Sequence, residues 1–491
     1  MKNATGPSVI RRRTIFEIGS PGRTASTLPR PDIPQKGLDE MFPKEMLREG
    51  RIGMPEVSEG ELVRHYIALS MLNHHVDKGF YPLGSCTMKY NPKINEDLAR
   101  LPGFANLHPL QGASLSQGAL ALMHRLGEAL KEISGFDAVT LQPAAGAQGE
   151  FTALMIIRAS HERQGNPRRK VIIPDTAHGT NPASVSLCGY QAVTVRSNEE
   201  GTIDLRALGE ALDEDVAALM LTVPNTLGKF ERDILAIARM IHDVGARMYL
   251  DGANLNSLMG IVRPADMGFD AMHFNLHKTF STPHGGGGPG AGPVGVVSSL
   301  APFLPIPLIG RREDGTYYLD DQVAHSIGRV HGHFGNFLVM VRAYAYILMQ
   351  GAPGLRSVSE NAILNANYIM RKLERYYRNP YPNGCMHECV LTGERQKEKG
   401  VKTLDIAKRL LDFGIHAPTI YFPLIVPEAL MIEPTETESK ESLDCFVAAM
   451  IAIAEEAERD PQLLREAPHW TPVRRLDEAK AARDLVLKWE G

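Results

Sequence analysis

Cysteine is too scarce to staple this chain. Five cysteines in 491 residues, an odd number, build no disulfide framework, and a reducing, cytoplasmic setting is expected. No stretch is long and apolar enough to span a bilayer, so no membrane partner is expected. Charge of one sign is also lacking. Fifty-three basic against 57 acidic residues leave −4, which gives no footprint for nucleic acid. No apolar signal core follows Arg11, Arg12 and Arg13, and Glu17 arrives at once, so the start reads as an extended arm. No helical His-Glu-x-x-His is present. His273 and His277 stand four apart, and Cys385, His387 and Cys389 lie close together, but a second cysteine pair is missing, so no metal site is expected.

What is present is ordinary globular composition, 43% hydrophobic and 22% charged, in a length suited to roughly two to four domains. Residues 1–57 are rich in Pro, Gly and Arg and form the expected arm. Ser58-Glu59-Gly60-Glu61 is a capping-box pattern opening a helix. Residues 79–92 are turn-rich with unusual polar and aromatic density. A helix follows at about 115–133. Short apolar runs then alternate with amphipathic helices. Strands are expected at Ala138–Leu141, Val171–Pro174, Ala192–Val195, Val216–Val223, Met248–Leu250, Ala271–Phe274 and Val294–Val297, with helices at about 149–162, 204–213 and 232–245. This order predicts an α/β fold, a large, mainly parallel seven-stranded sheet covered on both faces, within a domain of residues 58–340. A smaller α+β domain is expected at 341–491. It has helices at 356–377, 402–413 and 439–457 and strands at His387–Thr392 and Ala429–Glu433, with Glu433, Glu436 and Glu438 read as caps for the helix after them.

Ligands of such sheets sit beyond the carboxyl ends of the strands. After Leu141 the small residues before a helix make Gly146, Ala147 and Gln148 a candidate phosphate cradle of backbone N–H groups. After Pro174 comes His178, whose flat ring could stack on a heteroaromatic. After Leu221 come Thr222, Pro224, Asn225 and Thr226, suited to a phenolic oxygen or a carboxylate. After Leu250, Asp251 could pair with a protonated ring nitrogen, and Ala253 leaves room for a ring to lie flat.

Lys278 stands one helix-and-strand unit later, between a short apolar run and four glycines. Burial would lower its pKa and free the amine as a nucleophile towards carbonyls. A lysine on a tight loop between two strands is one way enzymes hold pyridoxal phosphate as a Schiff base. Each feature alone also fits a plain turn, a structural histidine or an incidental lysine. Their order, in register with the strand ends, favours a site.

Those residues resemble the fold type I pyridoxal-phosphate enzymes, and more closely the P-protein family of the glycine cleavage system. The likeness lies at Tyr81 to Pro92, Ala177 to Ser184, Asp251 to Asn254, His277 to Phe280 with His284 to Gly290, and Met431 to Glu436. Ile15 to Glu17 and Pro21 to Arg23 resemble the start of the second, lysine-bearing subunit of the split bacterial form. Phe274, Ser281, Thr282 and His331 to Asn336 depart from the family pattern. The resemblance implies pyridoxal 5′-phosphate covalently held by Lys278, with Asp251 on the ring nitrogen, His178 on the ring face, Thr222 at the phenolic oxygen, and Asn275 and His277 aiding the phosphate. It implies glycine as substrate, a complementary first subunit in an α2β2 heterotetramer, and lipoylated H-protein as acceptor. Tyr81, Ser85, Cys86 and Lys89 are candidates for the glycine carboxylate. Another type I decarboxylase, an aminotransferase or a non-catalytic scaffold stay open at this stage.

Overall fold

A computed structural model describes residues 13–25, 29, 31–50, 52–108, 111–284, 290–333 and 335–487. The first twelve residues of the expected arm, Gly285 to Pro289 and Phe334 lie outside them. The chain divides into two compact units, one of residues up to Lys78 with those from Trp470 onward, the other Gly79–His469. The first unit carries helix α1 (Glu59–Ser70), opened by the expected capping box between Ser58 and Glu61. No residue of α1 is buried. Among the described residues, no helix is long and apolar enough to cross a membrane.

The second unit is built on seven strands: β1 (Ala138–Thr140), β2 (Lys170–Pro174), β3 (Gln191–Val195), β4 (Val216–Thr222), β5 (Arg247–Gly252), β6 (Ala271–Phe274) and β7 (Val294–Val296). All seven match the expected runs. Their order is β1-β7-β6-β5-β4-β2-β3; only β7 runs against its neighbours. Every residue of β4 is buried, the signature of a strand covered on both faces. On one face helix α2 (Gln117–Ser134) packs Met123, Leu126 and Leu130 into the main core. On the other, helix α3 (Gly146–Arg163) inserts Ala153, Leu154, Ile156 and Ile157.

Beyond the sheet come a hairpin of β8 (Leu308–Arg311) and β9 (Tyr317–Asp320), then helix α4 (Phe337–Leu373). The boundary expected at 340 falls inside α4. Its first half packs Met340, Ala343 and Tyr346 on the main core, and its end carries Ile369, Met370 and Leu373 into a second core. The helix expected to begin at 356 is only the latter part of α4. Gly351, at φ 59° and ψ −179°, breaks the helix, and Pro353 sits just after the break, where its fixed φ and missing N–H are tolerated. A three-stranded antiparallel sheet follows, of β10 (Cys389–Thr392), β11 (Thr419–Ile420) and β12 (Ala429–Ile432), with β12 central. Helix α5 (Lys440–Arg459) covers it with Phe446, Met450 and Ile453. Ser439, not a glutamate, caps α5.

Gly252 ends β5 where the sheet allows no side chain. A Cβ there would stand 2.0 Å from the carbonyl oxygen of His273 on β6, far inside van der Waals contact. Gly252→Ala is expected to lower the unfolding free energy by about 2 kcal/mol or more, measured as a reduced urea midpoint. An unchanged midpoint would show that the β5–β6 spacing gives way freely.

Candidate active site

The carboxyl ends of β4, β5 and β6 meet the first turn of α3 around a cavity of about 150 Å³. Gly146, Ala147, His178, Thr222, Asp251, Ala253, Asn275, His277 and Lys278 all line it. Of the residues expected at the site, Gln148 is absent from the lining, as are Pro224, Asn225, Tyr81, Cys86 and Lys89. The Gln148 side chain spans two loops instead, accepting from the Ala144 N–H and donating to the Val330 carbonyl, both at 2.6 Å. A larger cleft of about 420 Å³, lined by Lys229, Tyr381 and Cys385 among others, lies elsewhere. It gathers no such set of strand-end groups.

Ala145 precedes α3 without offering a side-chain cap, so the first N–H groups of the helix are free for an anion. Backbone comes close here. A Cβ on Gly146 would be 2.3 Å from Asn275 Oδ1, and one on Gly292 would be 2.1 Å from the Ala145 carbonyl oxygen. His277 lies nearby with Nδ1 accepting from the Ala291 N–H at 3.3 Å. Burial first, then Lys278 and His284, push its imidazole down to about 3, so it is neutral.

Asp251 is the buried centre of the site. Its Oδ2 accepts from Asn181 Nδ2 at 2.9 Å and its Oδ1 from the Ala253 N–H at 3.0 Å. Burial pushes this carboxyl up, but His273, the Asn181 bond, Lys278 and the Ala253 N–H together hold it below the usual carboxylate range. His273 Nε2 is 3.4 Å from Asp251 Oδ1 and 2.9 Å from Asn275 Nδ2, and Nδ1 is 2.6 Å from the Tyr249 hydroxyl. Burial keeps this imidazole below its ordinary range too. At neutral pH it therefore acts on Asp251 as a dipole, and the hydrogen bonds and Lys278 do the rest.

His178 Nδ1 is 2.9 Å from Thr180 Oγ1, and its ring meets Phe422 edge-on at 5.8 Å. Burial lowers its pKa. Thr222 Oγ1 is buried with no partner among the described residues. Lys278 sits on a helical turn, Leu276–Thr279, directly after β6, and its Nζ donates to the Ser85 carbonyl at 2.9 Å.

Several lining residues were not anticipated. Glu150 accepts from Thr180 Oγ1 at 2.7 Å and Ser184 Oγ at 2.8 Å. His273 was visible only as half of a metal pair; its register partner across β5–β6 is Asp251, which a strand-register argument would have found. Lys89 does not line the cavity. Its Nζ is buried against Glu436 Oε1 at 2.9 Å, Asn256 Oδ1 at 2.8 Å and Tyr346 Oη at 3.2 Å, so it anchors its loop. Tyr81 stacks on His416 at 4.1 Å, and burial raises the Cys86 thiol. Among the described residues, the group placed to hold a metal ion is His387, Glu388 and Glu433, whose ligand atoms lie within 4.8 Å of one another.

The family model described as "Glycine cleavage system P-protein" matches residues 32–320, more than half of the chain. The chain belongs to this family. A second model, "Glycine dehydrogenase, C-terminal domain", matches residues 358–469. Two relatives, both named probable glycine dehydrogenase (decarboxylating) subunit 2, cover their full length nearly. The one from Caldanaerobacter subterraneus is 59% identical over 97% of this chain and 98% of its own. The one from Halalkalibacterium halodurans is 60% identical over 97% and 98%. Among solved structures, a glycine decarboxylase (P-protein) in inhibitor-bound form superposes at TM-score 0.73 with 20% identity, covering 85% of this chain and 94% of that one. A sphingosine-1-phosphate lyase from Burkholderia pseudomallei superposes at 0.60 with 14% identity, over 85% and 94%. These likenesses show the fold, that of the type I enzymes.

Two carboxyls share the cavity, and Asp251 keeps the charge. Burial, then the Asp251 carboxylate, push Glu150 up to about 7. Its folded pKa lies above the unfolded value near 4.5, so the unfolded chain releases this proton first. Stability therefore falls as pH rises from about 4.5 to about 7, by of order 3 kcal/mol at most. Glu150→Gln is expected to flatten that part of the profile, read as the pH dependence of the thermal midpoint in variant and parent. Parallel profiles would contradict the assignment.

Proposed function

We propose that this chain is the lysine-bearing subunit of a split glycine decarboxylase. It decarboxylates glycine with pyridoxal 5′-phosphate held at Lys278 and passes the aminomethyl group to the lipoyl arm of H-protein. The observation that carries this reading is the meeting of Lys278, an ionised buried Asp251 and the open end of α3 in one cavity. The residues fit the cofactor. Thr222 Oγ1 is an orphaned buried hydroxyl awaiting a partner such as the phenolic oxygen. The α3 turn is a cradle that side chains larger than hydrogen would fill.

Pyridoxal phosphate, when bound, supplies an electron sink for the electron pair left on the α-carbon as carbon dioxide departs. Asp251, kept ionised by its donors, holds a proton at the ring nitrogen. Ala253 leaves the ring space to lie flat, and neutral His178 offers its face to the ring. The N–H groups of Gly146, Ala147 and Gln148 receive the phosphate, with Asn275 and His277 at its side. Lys278 would hold the cofactor covalently through its amine.

The relatives' designation as a second subunit supports a complementary subunit for this chain, and an α2β2 assembly is the arrangement we favour. The exposed apolar side chains of Val63, Tyr66, Ile67 and Leu69 on α1 support a protein partner. Five free cysteines support a cytoplasmic setting.

The test is exchange of labelled bicarbonate into the carboxyl of glycine, with lipoylated H-protein present. Exchange is expected only when the complementary subunit is added, and Lys278→Ala should lower it by about 10³-fold or more. Exchange by this chain alone would overturn the split-site part of the reading. None in the mixture, with cofactor bound, would overturn the activity.

A further inference from the structure

The segment Pro82 to Lys89 leads from the small sheet to the cavity, and its backbone is held in an unusual shape. Ser85 and Thr87 have φ of 66° and 45°, the left-handed region that side-chain-bearing residues enter only when their surroundings impose it. Two glutamates supply that constraint. The Ser85 N–H donates to Glu388 Oε2 at 2.8 Å and the Thr87 N–H to Glu433 Oε2 at 2.9 Å. Glu388 directly precedes β10 and Glu433 directly follows β12. Cys389 pairs with Ile432 across those strands, so the two carboxyls stand side by side at one sheet end. Thr419 on β11 adds a third tether, donating to the Gly84 carbonyl at 2.8 Å. The result is a Ser85 carbonyl aimed at Lys278 Nζ, 2.9 Å away.

Both glutamates are fully buried, and neither lines the cavity. We propose that Glu388 and Glu433 are positioning residues for the Lys278 amine. They lock the Ser85–Thr87 turn so that the Ser85 carbonyl receives the lysine ammonium whenever that amine is not covalently engaged. The inference rests on the reading of Lys278 given above. Each turnover frees this amine and takes it back, so a fixed acceptor beside the cavity keeps it within reach of the reacting carbon. Burial and the neighbouring Glu433 push Glu388 well above the ordinary carboxyl range, and a neutral acid accepts from an N–H through its carbonyl oxygen, as an amide does.

That similarity sets the test. Gln at either position keeps an acceptor for the loop N–H; Leu fills the space and removes it. The four variants, E388Q, E433Q, E388L and E433L, are compared in the assembled enzyme with the complementary subunit. Amide-hydrogen exchange over residues 83–88, glycine-dependent kcat and KM, cofactor content and bound metal are measured for each. The Leu variants should exchange the loop amides about tenfold faster and lose about tenfold or more in kcat, with glycine KM and cofactor content within about twofold of the parent. The Gln variants should keep the loop protected and lose about threefold. Thr419→Val, which removes only the Gly84 tether, should shift loop exchange in the same direction by less, and serves if a Leu variant does not fold. Equal losses in Gln and Leu variants would overturn the proposal, because charge rather than the acceptor would then matter. So would unaltered loop exchange in the Leu variants, or one divalent metal per parent chain that the Gln variants lose. A parent enzyme that carries no cofactor at Lys278 would instead overturn the reading of Lys278, while the loop-exchange comparison would still stand or fall by itself.

Discussion

A carboxylate stripped of water at the end of a central strand must be given partners, and much of this site is the provision of them to Asp251. The cost of burying an unpaired charge is several kcal/mol. Asn181, the Ala253 N–H and Lys278 offset it from three different elements, and His273 is fixed behind by Tyr249 and Asn275. The same demand explains the second carboxyl. With Asp251 charged beside it, Glu150 is pushed up to about 7 and is held by two hydroxyls. The polarity expected of a cofactor site is thus set before any ligand arrives.

The parallel sheet was legible because its central strands are short apolar runs buried on both faces, and β4 is the plainest case. The strand ends were legible for the same reason, since topology puts the residue after each run at the ligand side. Asp251 and His178 were read in that way, and Lys278 from the glycines that follow it; the three line one cavity. The first half of α4 was not legible, because Gly351 and Pro353 interrupt the periodicity that marks a helix. Gln148 was read for its backbone N–H in the turn; that its side chain reaches two loops was not legible.

The Ser85–Thr87 turn was hidden for a different reason. Positive φ at serine and threonine leaves no mark in a sequence, as it would at glycine. Its cause lies 303 and 346 positions away, in glutamates that read as part of a strand or as a helix cap. Glu436, also read as a cap, is the counter-charge of buried Lys89. The segment Tyr81 to Pro92 is therefore not a set of ligands laid side by side. It is a strap whose backbone reaches the site and is fastened to the small sheet by the side chains of Glu388, Glu433 and Thr419.

The account depends above all on Lys278 being the residue that holds the cofactor. Borohydride reduction of the purified chain with pyridoxal phosphate, followed by proteolysis and mass mapping, tests this most directly. The account predicts one modified peptide, with the added mass on Lys278. Modification spread over surface lysines with Lys278 untouched, or an equal yield of a single adduct from Lys278→Ala, would contradict it.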